Sequence, residues 1–298
     1  MTLTNLGSQL NNAEAQMAER SIGIIGGSGV YNIEGIEIIK EHEVTTPFGI
    51  PSDKIIEAKL EGVKFYFVPR HGRTHSVLPH EVNYCANIYA LKTFGVQYLI
   101  SVSAVGSLKE ECPPTMMVLP DQFIDWTKGG RRRTFFGEGI VGHVSTAEPV
   151  EKNLHKVLVD ACAAAKADHH VGGSYICIEG PQFSSKAESN IYRGFGATVI
   201  GMTNVPEAYL AKEAGMAYAT LAMVTDYDCW REEDHCTVEE IMKVMKTNNE
   251  TAQKILKIAL KEIESTKFDF KKENEFAILT PQDLMSEEQR EICKVLQS

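Results

Sequence analysis

Short runs of apolar residues recur along the chain, and each run ends in glycine or in polar residues. Runs of this length and composition are typical of strands buried inside a sheet. Because most of these runs are separated by dozens of residues, they leave room for connecting helices. The predicted strands are Ser21 to Ile25, Lys64 to Val68, Gln97 to Ser103, Ser174 to Ile178, Thr198 to Met202 and Tyr218 to Thr225.

Segments with the hydrophobic period of a helix lie between several of these strands. The predicted helices are Glu81 to Phe94, Val150 to Ala167, Ala187 to Phe195, Pro206 to Ala214 and the long amphipathic segment Val238 to Ile263. This alternation predicts an α/β fold with a mostly parallel central sheet flanked by helices. No repeat or Pro/Ser-rich linker divides the sequence, so we expect a single domain over residues 21–298. Residues 1–20, rich in Asn, Gln, Ala and Ser, are expected to form a disordered leader.

Composition excludes several classes of protein. The formal net charge of −10 argues against a protein that coats nucleic acid or an anionic membrane, because both partners require a basic face. No run of about 18 apolar residues is present to span a bilayer. The seven cysteines are odd in number and never form C-x-x-C, which argues against a disulfide scaffold or a zinc site. We therefore expect a cytoplasmic protein, with the nucleus left open as a second compartment.

The first predicted strand runs into a glycine-rich loop, Gly26 to Gly29. Ligands of a parallel sheet collect at the carboxyl ends of its strands, and glycines let the backbone approach an anion there. The hydroxyl of Ser28 and the loop N–H groups are candidates to cradle a phosphate. A purely structural tight turn is an equal alternative. A dinucleotide fingerprint is excluded, because Asn32 stands at the third glycine position.

The next two predicted strands also end in groups that bind anions. Arg70 and His71 follow the second strand, and an arginine there offers paired donors to phosphate. The alternative for Arg70 is a salt bridge to a carboxylate. The third strand leads into Ser103 and Gly106, again a hydroxyl residue close to glycine. Together these strand ends predict one oxyanion pocket, although each taken alone is explained by turn chemistry. The basic tract Lys128 to Arg133 is interpreted as a solvated turn.

Later strand ends carry groups suited to a planar ligand or a sugar. Phe183 and Met202 are candidates to pack against such a ligand, although both residue types are more often found in the core. Asp226 and Asp228 lie at positions i and i+2, so they project on the same side if the strand continues. Such a pair can grip one edge of a ligand, and it can supply a general acid if one pKa is raised. Helix capping or a loop turn is the alternative.

Several long motifs, taken in order, resemble the trimeric purine nucleoside phosphorylase family, specifically its S-methyl-5′-thioadenosine phosphorylases. The resemblance extends over roughly Ile22 to Met245. The motifs that carry it are Ile24 to Gly29, Thr46 to Gly49, Arg70 to Arg73, Asn83-Tyr84, Ile178 to Ser189, Met202-Thr203 and Thr225 to Trp230.

The resemblance implies a fold, a reaction and an assembly. The fold would be of the phosphorylase type, with a distorted central sheet, and the assembly a homotrimer with active sites near subunit interfaces. The reaction would be cleavage of methylthioadenosine by phosphate, giving adenine and 5-methylthioribose 1-phosphate in purine and methionine salvage. The enzyme would be a pentosyltransferase without metal or organic cofactor, since phosphate is a co-substrate and is itself the nucleophile.

The resemblance also implies roles for individual residues. Phosphate would contact Ser28, Arg70, His71, Ser103, Ala104 and Thr203. The ribose would lie by Met202, the purine against Phe183, and Ser184 would influence specificity. His143 would reach the site from the neighbouring subunit. Val238 and Ile241, at helical spacing, suit an apolar methylthio pocket, although they are equally suited to a core.

The aspartate pair bears on the choice of base. Protonated Asp226 would donate to purine N7, while Asp228 would hold it or accept from the exocyclic amine of adenine. Relatives that act on 6-oxopurines carry asparagine in this region, so aspartate indicates adenine. The match weakens beyond Trp230, and Gln289 and Cys293 in the last helix are poorly matched. Adenosine is thus a candidate second substrate, and a broader purine nucleoside phosphorylase or a non-catalytic nucleoside-binding protein are the alternatives.

Overall fold

The computed structural model of the protein describes residues 20–27, 29, 33–231 and 238–298. The expected leader at residues 1–20 therefore lies outside the described residues, apart from Arg20. Ser28 of the glycine-rich loop lies outside them as well. Val238 is described as the first residue of a helix, but its side chain is not among the described ones.

Strands and helices alternate along most of the described chain. The strands are β1 (Ser21–Gly26), β2 (Ile36–His42), β3 (Ile55–Leu60), β4 (Val63–Pro69), β5 (Val96–Ser107), β6 (Met117–Leu119), β7 (Gln122–Trp126), β8 (His169–Val171), β9 (Ser174–Ile178), β10 (Val199–Gly201) and β11 (Ala217–Asp226). The helices are α1 (Tyr84–Thr93), α2 (Lys152–Ala164), α3 (Lys186–Gly194), α4 (Asn204–Glu213), α5 (Val238–Thr266) and α6 (Glu287–Gln297). The starts of α3 and α6 are both fixed by capping boxes, formed by Ser185 with Glu188 and by Ser286 with Gln289.

The described strands form one mixed sheet that forks at β5. The main path runs β2-β3-β4-β1-β5-β10-β9-β7, while β11, β6 and β8 continue from the other edge of β5. Near its start β5 pairs in parallel with β1, and along most of its length it pairs in parallel with β11. Beyond the end of β1, Gly106 and Ser107 pair antiparallel with β10 instead. The sheet therefore opens where β1 ends and β10 begins.

Apolar packing explains the placement of the elements around this sheet. All six residues of β1 are buried, which accounts for its continuous apolar run. Helices α1 and α4 pack against each other and bury nearly every residue. Helix α5 packs against α2 and β11 and brings the end of the chain back over the sheet. Among the described residues, no helix has the length and apolar character needed to cross a membrane.

The structure confirms the predicted α/β architecture and its mostly parallel sheet. Each predicted strand and helix overlaps an observed one, and the third strand is longer than expected because the small residues up to Ser107 stay in register with β11 or β10. Strands β2, β3, β6, β7 and β8 and helix α6 were not predicted. Three of these strands lack the apolar run on which the prediction depends. Strand β2 is mostly exposed, and β6 and β8 have only three residues each.

The close packing of β10 on β9 gives a test of the fold. A Cβ at Gly201 would overlap the hydroxyl group of Tyr175. We expect Gly201→Ala to lower the free energy of unfolding by about 1–3 kcal/mol, the usual cost of overpacking. At Gly194, by contrast, a Cβ meets nothing within 4 Å. Gly194→Ala is the matched control and should leave stability unchanged or raise it by up to about 1 kcal/mol. Chemical denaturation of both variants measures the difference, and equal stabilities would contradict the packing described.

Candidate active site

A cavity of about 720 Å³ opens at the fork in the sheet. The carboxyl ends of β4, β5 and β11 and the chain that follows β10 line one side of it, and α5 lines the other. This is where ligands of parallel sheets bind. The predicted site residues that line the cavity are Arg70, His71, Ser103, Ala104, Phe183, Ser184, Met202, Thr203, Asp226, Asp228 and Ile241.

Three predicted site residues are not among these. Ser28 and the side chain of Val238 lie outside the described residues. His143 is exposed and is not part of the lining of this cavity. Its backbone N–H donates to the carbonyl of Ala277 at 2.9 Å. The role of His143 at the cavity of a neighbouring subunit stays a prediction.

Arg70 is buried in an ion pair and has little capacity left for a ligand. Its Nε and Nη2 donate to the two carboxylate oxygens of Glu207 at 2.7 and 2.9 Å, and Nη2 also donates to Ser101. Its Nη1 donates to the carbonyl of Val102 at 3.1 Å. Four of the five guanidinium N–H groups are thus occupied, which leaves one on Nη1 for a ligand. The structure shows the salt bridge that sequence reasoning held as the alternative, although Arg70 still borders the cavity.

Hydroxyl groups from separate strands converge next to Arg70. Ser103 Oγ lies 3.3 Å from both Thr203 Oγ1 and Tyr175 Oη. Thr203 precedes α4, but its side chain makes no capping hydrogen bond to the helix, so its hydroxyl is available to the cavity. Burial raises the pKa of Tyr175 to about 12, so its phenol keeps its proton. Neutral O–H groups of this kind can each turn a proton toward an oxyanion.

Two carboxyl groups line the opposite part of the cavity. Asp226 ends β11, and it accepts from the Thr225 hydroxyl at 2.6 Å and from the Asp228 N–H at 2.7 Å. Burial raises the pKa of Asp226, although these two hydrogen bonds oppose the shift. Burial also raises the pKa of Asp228. A pair of partly buried carboxyl groups with raised pKa values can supply a proton donor to a bound base.

The two aspartates share the cavity for a different reason than the sequence suggested. The strand does not continue through Asp228, which instead adopts a left-handed conformation with φ of 55°. This turn brings the second carboxyl group back to the cavity. Gly106 on the neighbouring strand makes room for it, since a Cβ there would lie 3.1 Å from Asp226 Oδ1 and 3.4 Å from Asp228 Cβ. The turn at Asp228 and the space at Gly106, not the periodicity of a continuous strand, therefore bring both carboxyl groups to the cavity.

The mouth and the far end of the cavity are apolar. Phe183 stands at the mouth with 78% of its surface exposed, and Met202 packs over Gly180. At the far end, Ile241 and Met245 of α5 face Met223 of β11. These side chains offer no strong hydrogen-bonding groups, so this end is suited to an apolar substituent. In the described part of the chain, no three His, Cys, Asp or Glu side chains are grouped to hold a metal ion.

Arg131 corrects the interpretation of the basic tract as a solvated turn. It is 6% exposed, and its guanidinium pairs with Glu179 at 2.7 Å and lies over the ring of Tyr84. It also donates to the carbonyls of Glu179, Met202 and Val205 at 2.7 to 2.8 Å. Arg131 therefore ties the loop after β9 to the loop after β10. No local sequence signal distinguishes it from Arg132 and Arg133 beside it.

Two polar residues of α5 were also missed. Gln253 donates through Nε2 to the carbonyl of Gly29 at 3.1 Å, and Asn249 packs against the same glycine. Both line the cavity. They fasten the glycine-rich loop to the helix that also carries Ile241. Helical periodicity shows an amphipathic helix here, but it does not show which polar residue meets a loop more than two hundred positions earlier.

Comparison with known proteins agrees with this geometry. Residues 21–261 match the model of a protein family described as the phosphorylase superfamily. The chain belongs to this superfamily. The S-methyl-5′-thioadenosine phosphorylase of Geobacter sulfurreducens is 51% identical over 247 residues, covering 83% of this chain and 86% of that protein. The enzyme of the same name from Thermosynechococcus vestitus is 54% identical over 239 residues, covering 79% and 82%.

Solved structures of phosphorylases are similar as well. A methylthioadenosine phosphorylase from an antarctic soil metagenomic library superposes with a TM-score of 0.88 at 44% identity, covering 93% of this chain and 99% of that one. A methylthioadenosine phosphorylase from Schistosoma mansoni in complex with adenine superposes with a TM-score of 0.79 at 36% identity, covering 83% and 93%.

The ion pair of Arg70 gives a test that separates structure from ligand binding. Arg70→Met would leave the Glu207 carboxylate buried without its cation, and we expect a loss of about 3–5 kcal/mol in the free energy of unfolding. Arg73→Met is the control, because Arg73 pairs on the surface with Glu41 and Asp53. Its loss should cost no more than about 1 kcal/mol. A stable Arg70→Met protein with only a raised KM for phosphate would assign Arg70 to the ligand instead.

Proposed function

We propose that the protein catalyses phosphorolysis of S-methyl-5′-thioadenosine, giving adenine and 5-methylthioribose 1-phosphate. In this reaction the C1′–N9 bond breaks, a C1′–O bond to phosphate forms and the purine takes up a proton. The protein is thus a pentosyltransferase that serves purine and methionine salvage. The observation that carries the proposal is one cavity lined both by partly buried carboxyl groups and by hydroxyl groups that lie close together.

The hydroxyl wall is suited to phosphate. We assign phosphate to the hydroxyls of Ser103 and Thr203, the backbone at Ala104, the free N–H of Arg70 and the ring of His71, all of which border the cavity. Ser28 completes the set by its place in the sequence, although it lies outside the described residues. Because Arg70 is already neutralised by Glu207, hydroxyl and backbone groups supply most of the hydrogen bonds to the anion.

The carboxyl wall is suited to adenine. Leaving of the purine builds negative charge on the ring, and a proton at N7 neutralises it. We assign the donor to Asp226, whose raised pKa favours the protonated form. Asp228 accepts from the N6 amine, so the two carboxyl groups match an acceptor beside a donor. A 6-oxopurine presents an acceptor at that position and would be repelled by an ionised carboxylate.

Apolar groups hold the rest of the nucleoside. We place the purine against Phe183, the ribose by Met202 and the 5′-methylthio group against Ile241, with Val238 one helical turn earlier. Ser184 lies beside the base and is assigned to specificity. No metal or organic cofactor is assigned, since phosphate is the nucleophile and a side chain is the acid.

We also propose that the enzyme acts as a homotrimer. Phe183 at the mouth is largely exposed, and His143 lies near a second exposed apolar patch. The patch comprises Val141, Phe276, Leu279 and Leu284, which are 51 to 85% exposed. Monomers rarely leave so many large apolar side chains in water, so the patch supports an interface through which His143 reaches a neighbouring cavity. The free cysteines of the described chain support a reducing cytoplasmic location, with the nucleus as a second compartment.

One assay tests the reaction and the substrate together. Base release is measured from methylthioadenosine, adenosine and inosine, each with and without phosphate. We expect kcat/KM to be about 10–200-fold higher for methylthioadenosine than for adenosine, the range for a small apolar difference in a pocket. Inosine should be nearly inert. Release without phosphate would indicate a hydrolase, adenosine at an equal or higher rate would indicate a broader nucleoside phosphorylase, and no release would indicate a binding protein.

Asp226→Asn tests the proton donor. The amide nearly keeps the shape of the side chain but cannot release a proton to N7, so kcat for methylthioadenosine should fall by about 10²-fold or more. Glu110→Gln on the exposed surface is a matched carboxyl-to-amide control and should keep wild-type turnover. Turnover of Asp226→Asn close to wild type would contradict the assignment.

A further inference from the structure

The ring of His71 is held in one tautomer by a backbone group. Its Nδ1 lies 2.9 Å from the carbonyl oxygen of Val77. A carbonyl only accepts hydrogen bonds, so Nδ1 carries the proton. Burial, with the positive charge of Arg70 next, lowers the pKa of His71 to about 4 and keeps the ring neutral. In a neutral imidazole the second nitrogen, Nε2, is then an acceptor with no proton of its own.

His71 belongs to the wall to which we assign the anion. His71 borders the cavity together with Arg70, Ser103 and Thr203. Within the described part of the chain, the ring of His71 is hydrogen-bonded through Nδ1, and no protein group is hydrogen-bonded to Nε2. The other groups at this wall can donate, whereas Nε2 can only accept. An oxygen atom that meets Nε2 must therefore bring a proton with it.

We propose that His71 selects hydrogenphosphate by accepting a hydrogen bond from its P–OH group through Nε2, and so discriminates against sulfate. The two anions have the same shape and charge, but sulfate has no proton to offer near neutral pH. This inference rests on the proposed phosphorolysis. It adds to that function a reason why the site prefers an anion that carries a proton.

The same contact orients the nucleophile. The P–OH oxygen is the poorest nucleophile of the four, and its bond to Nε2 holds it away from C1′. An unprotonated oxygen is left to form the C1′–O bond as the C1′–N9 bond breaks, while the proton stays on the phosphoryl group of the product. His71 neither gains nor loses a proton in this step. It is therefore a residue that binds and orients phosphate, not an acid or base.

The charges around His71 oppose its protonation. Arg70 precedes it in the chain, and the ring of His75 lies 4.8 Å away on the same loop. Glu207 of α4 is the facing carboxylate, but it is occupied by both sides of the Arg70 guanidinium. The hydrogen bond to the Val77 carbonyl and, more weakly, the charge of Glu207 favour an imidazolium, and a bound dianion would add to them. The experiment must therefore ask whether anion binding brings a proton to the ring.

The test compares two anions in three proteins. The KM for phosphate and the inhibition constant for sulfate against phosphate are measured at constant ionic strength. Wild type should bind sulfate at least about tenfold more weakly than phosphate. The reason is that His71 Nε2 and a sulfate oxygen are both acceptors and form no hydrogen bond. In His71→Gln an amide N–H can donate where Nε2 accepted, and the discrimination should fall about tenfold. His75→Gln alters the neighbouring ring of the same loop and should leave the ratio unchanged.

A second variant separates the loss of Nε2 from a disruption of the loop that carries His71. His71→Asn keeps a donor near Val77 and removes Nε2, so it should weaken phosphate more than sulfate while the protein stays folded by its thermal transition. Sulfate titrations between about pH 5 and pH 8 report on the ring, because sulfate itself does not titrate there. Sulfate affinity should be flat across that range.

Three results would overturn the inference. They are equal affinity for the two anions in wild type, an unchanged ratio in both His71 variants, and sulfate binding that tightens with proton uptake as the pH falls. The last would show a donating imidazolium in the complex. Failure of the proposed function is distinguishable, because it would appear as no phosphate-dependent release of adenine from any nucleoside by the wild-type protein.

Discussion

The buried ion pair between Arg70 and Glu207 is the constraint on which the site depends. The two side chains are 3 and 1% exposed, so neither charge can be hydrated. The Glu207 carboxylate also accepts from Ser101 and Tyr218 hydroxyls, at 2.8 and 2.9 Å. These four residues come from α4, from β5 and β11, and from the position directly after β4. Because an unpaired charge would be very costly here, the pair fixes how those elements meet beneath the cavity.

A second buried cation, Arg131, holds together the loop after β9 and the loop after β10. Arg131 neutralises Glu179 and donates to main-chain carbonyls of the loops that carry Met202 and Phe183. Loops at the end of a sheet have backbone groups that the ladder no longer satisfies. A planar guanidinium can satisfy several of them at once, which a lysine cannot. The cavity thus has firm walls although much of its lining is irregular chain.

The sequence predicts the interior of this fold better than its edges. Continuous apolar runs identify β1 and β11 because both are buried on two faces, whereas the exposed β2 has no such pattern. Because the buried strands can be predicted, so can their carboxyl ends, and most of the predicted site residues that line the cavity follow those ends. What they cannot show is pairing over long separations: Arg70 with Glu207 is 137 positions apart, and Gln253 with Gly29 is 224. Charge partners and loop contacts of this kind arise from topology and have no local signal.

Burial prepares both ends of the cavity in the same way. A buried group disfavours its charged form, so the pKa of Asp226 rises while the pKa of His71 falls. Burial thus shifts Asp226 toward the protonated, donating form and His71 toward the uncharged form, in a chain whose net charge is −10. Phosphate brings negative charge to the cationic ribosyl group of the transition state, whereas the buried charges of Arg70 and Glu207 neutralise each other. We therefore expect cleavage of the nucleoside to depend on bound phosphate, because the anion supplies charge that stabilises the developing cation.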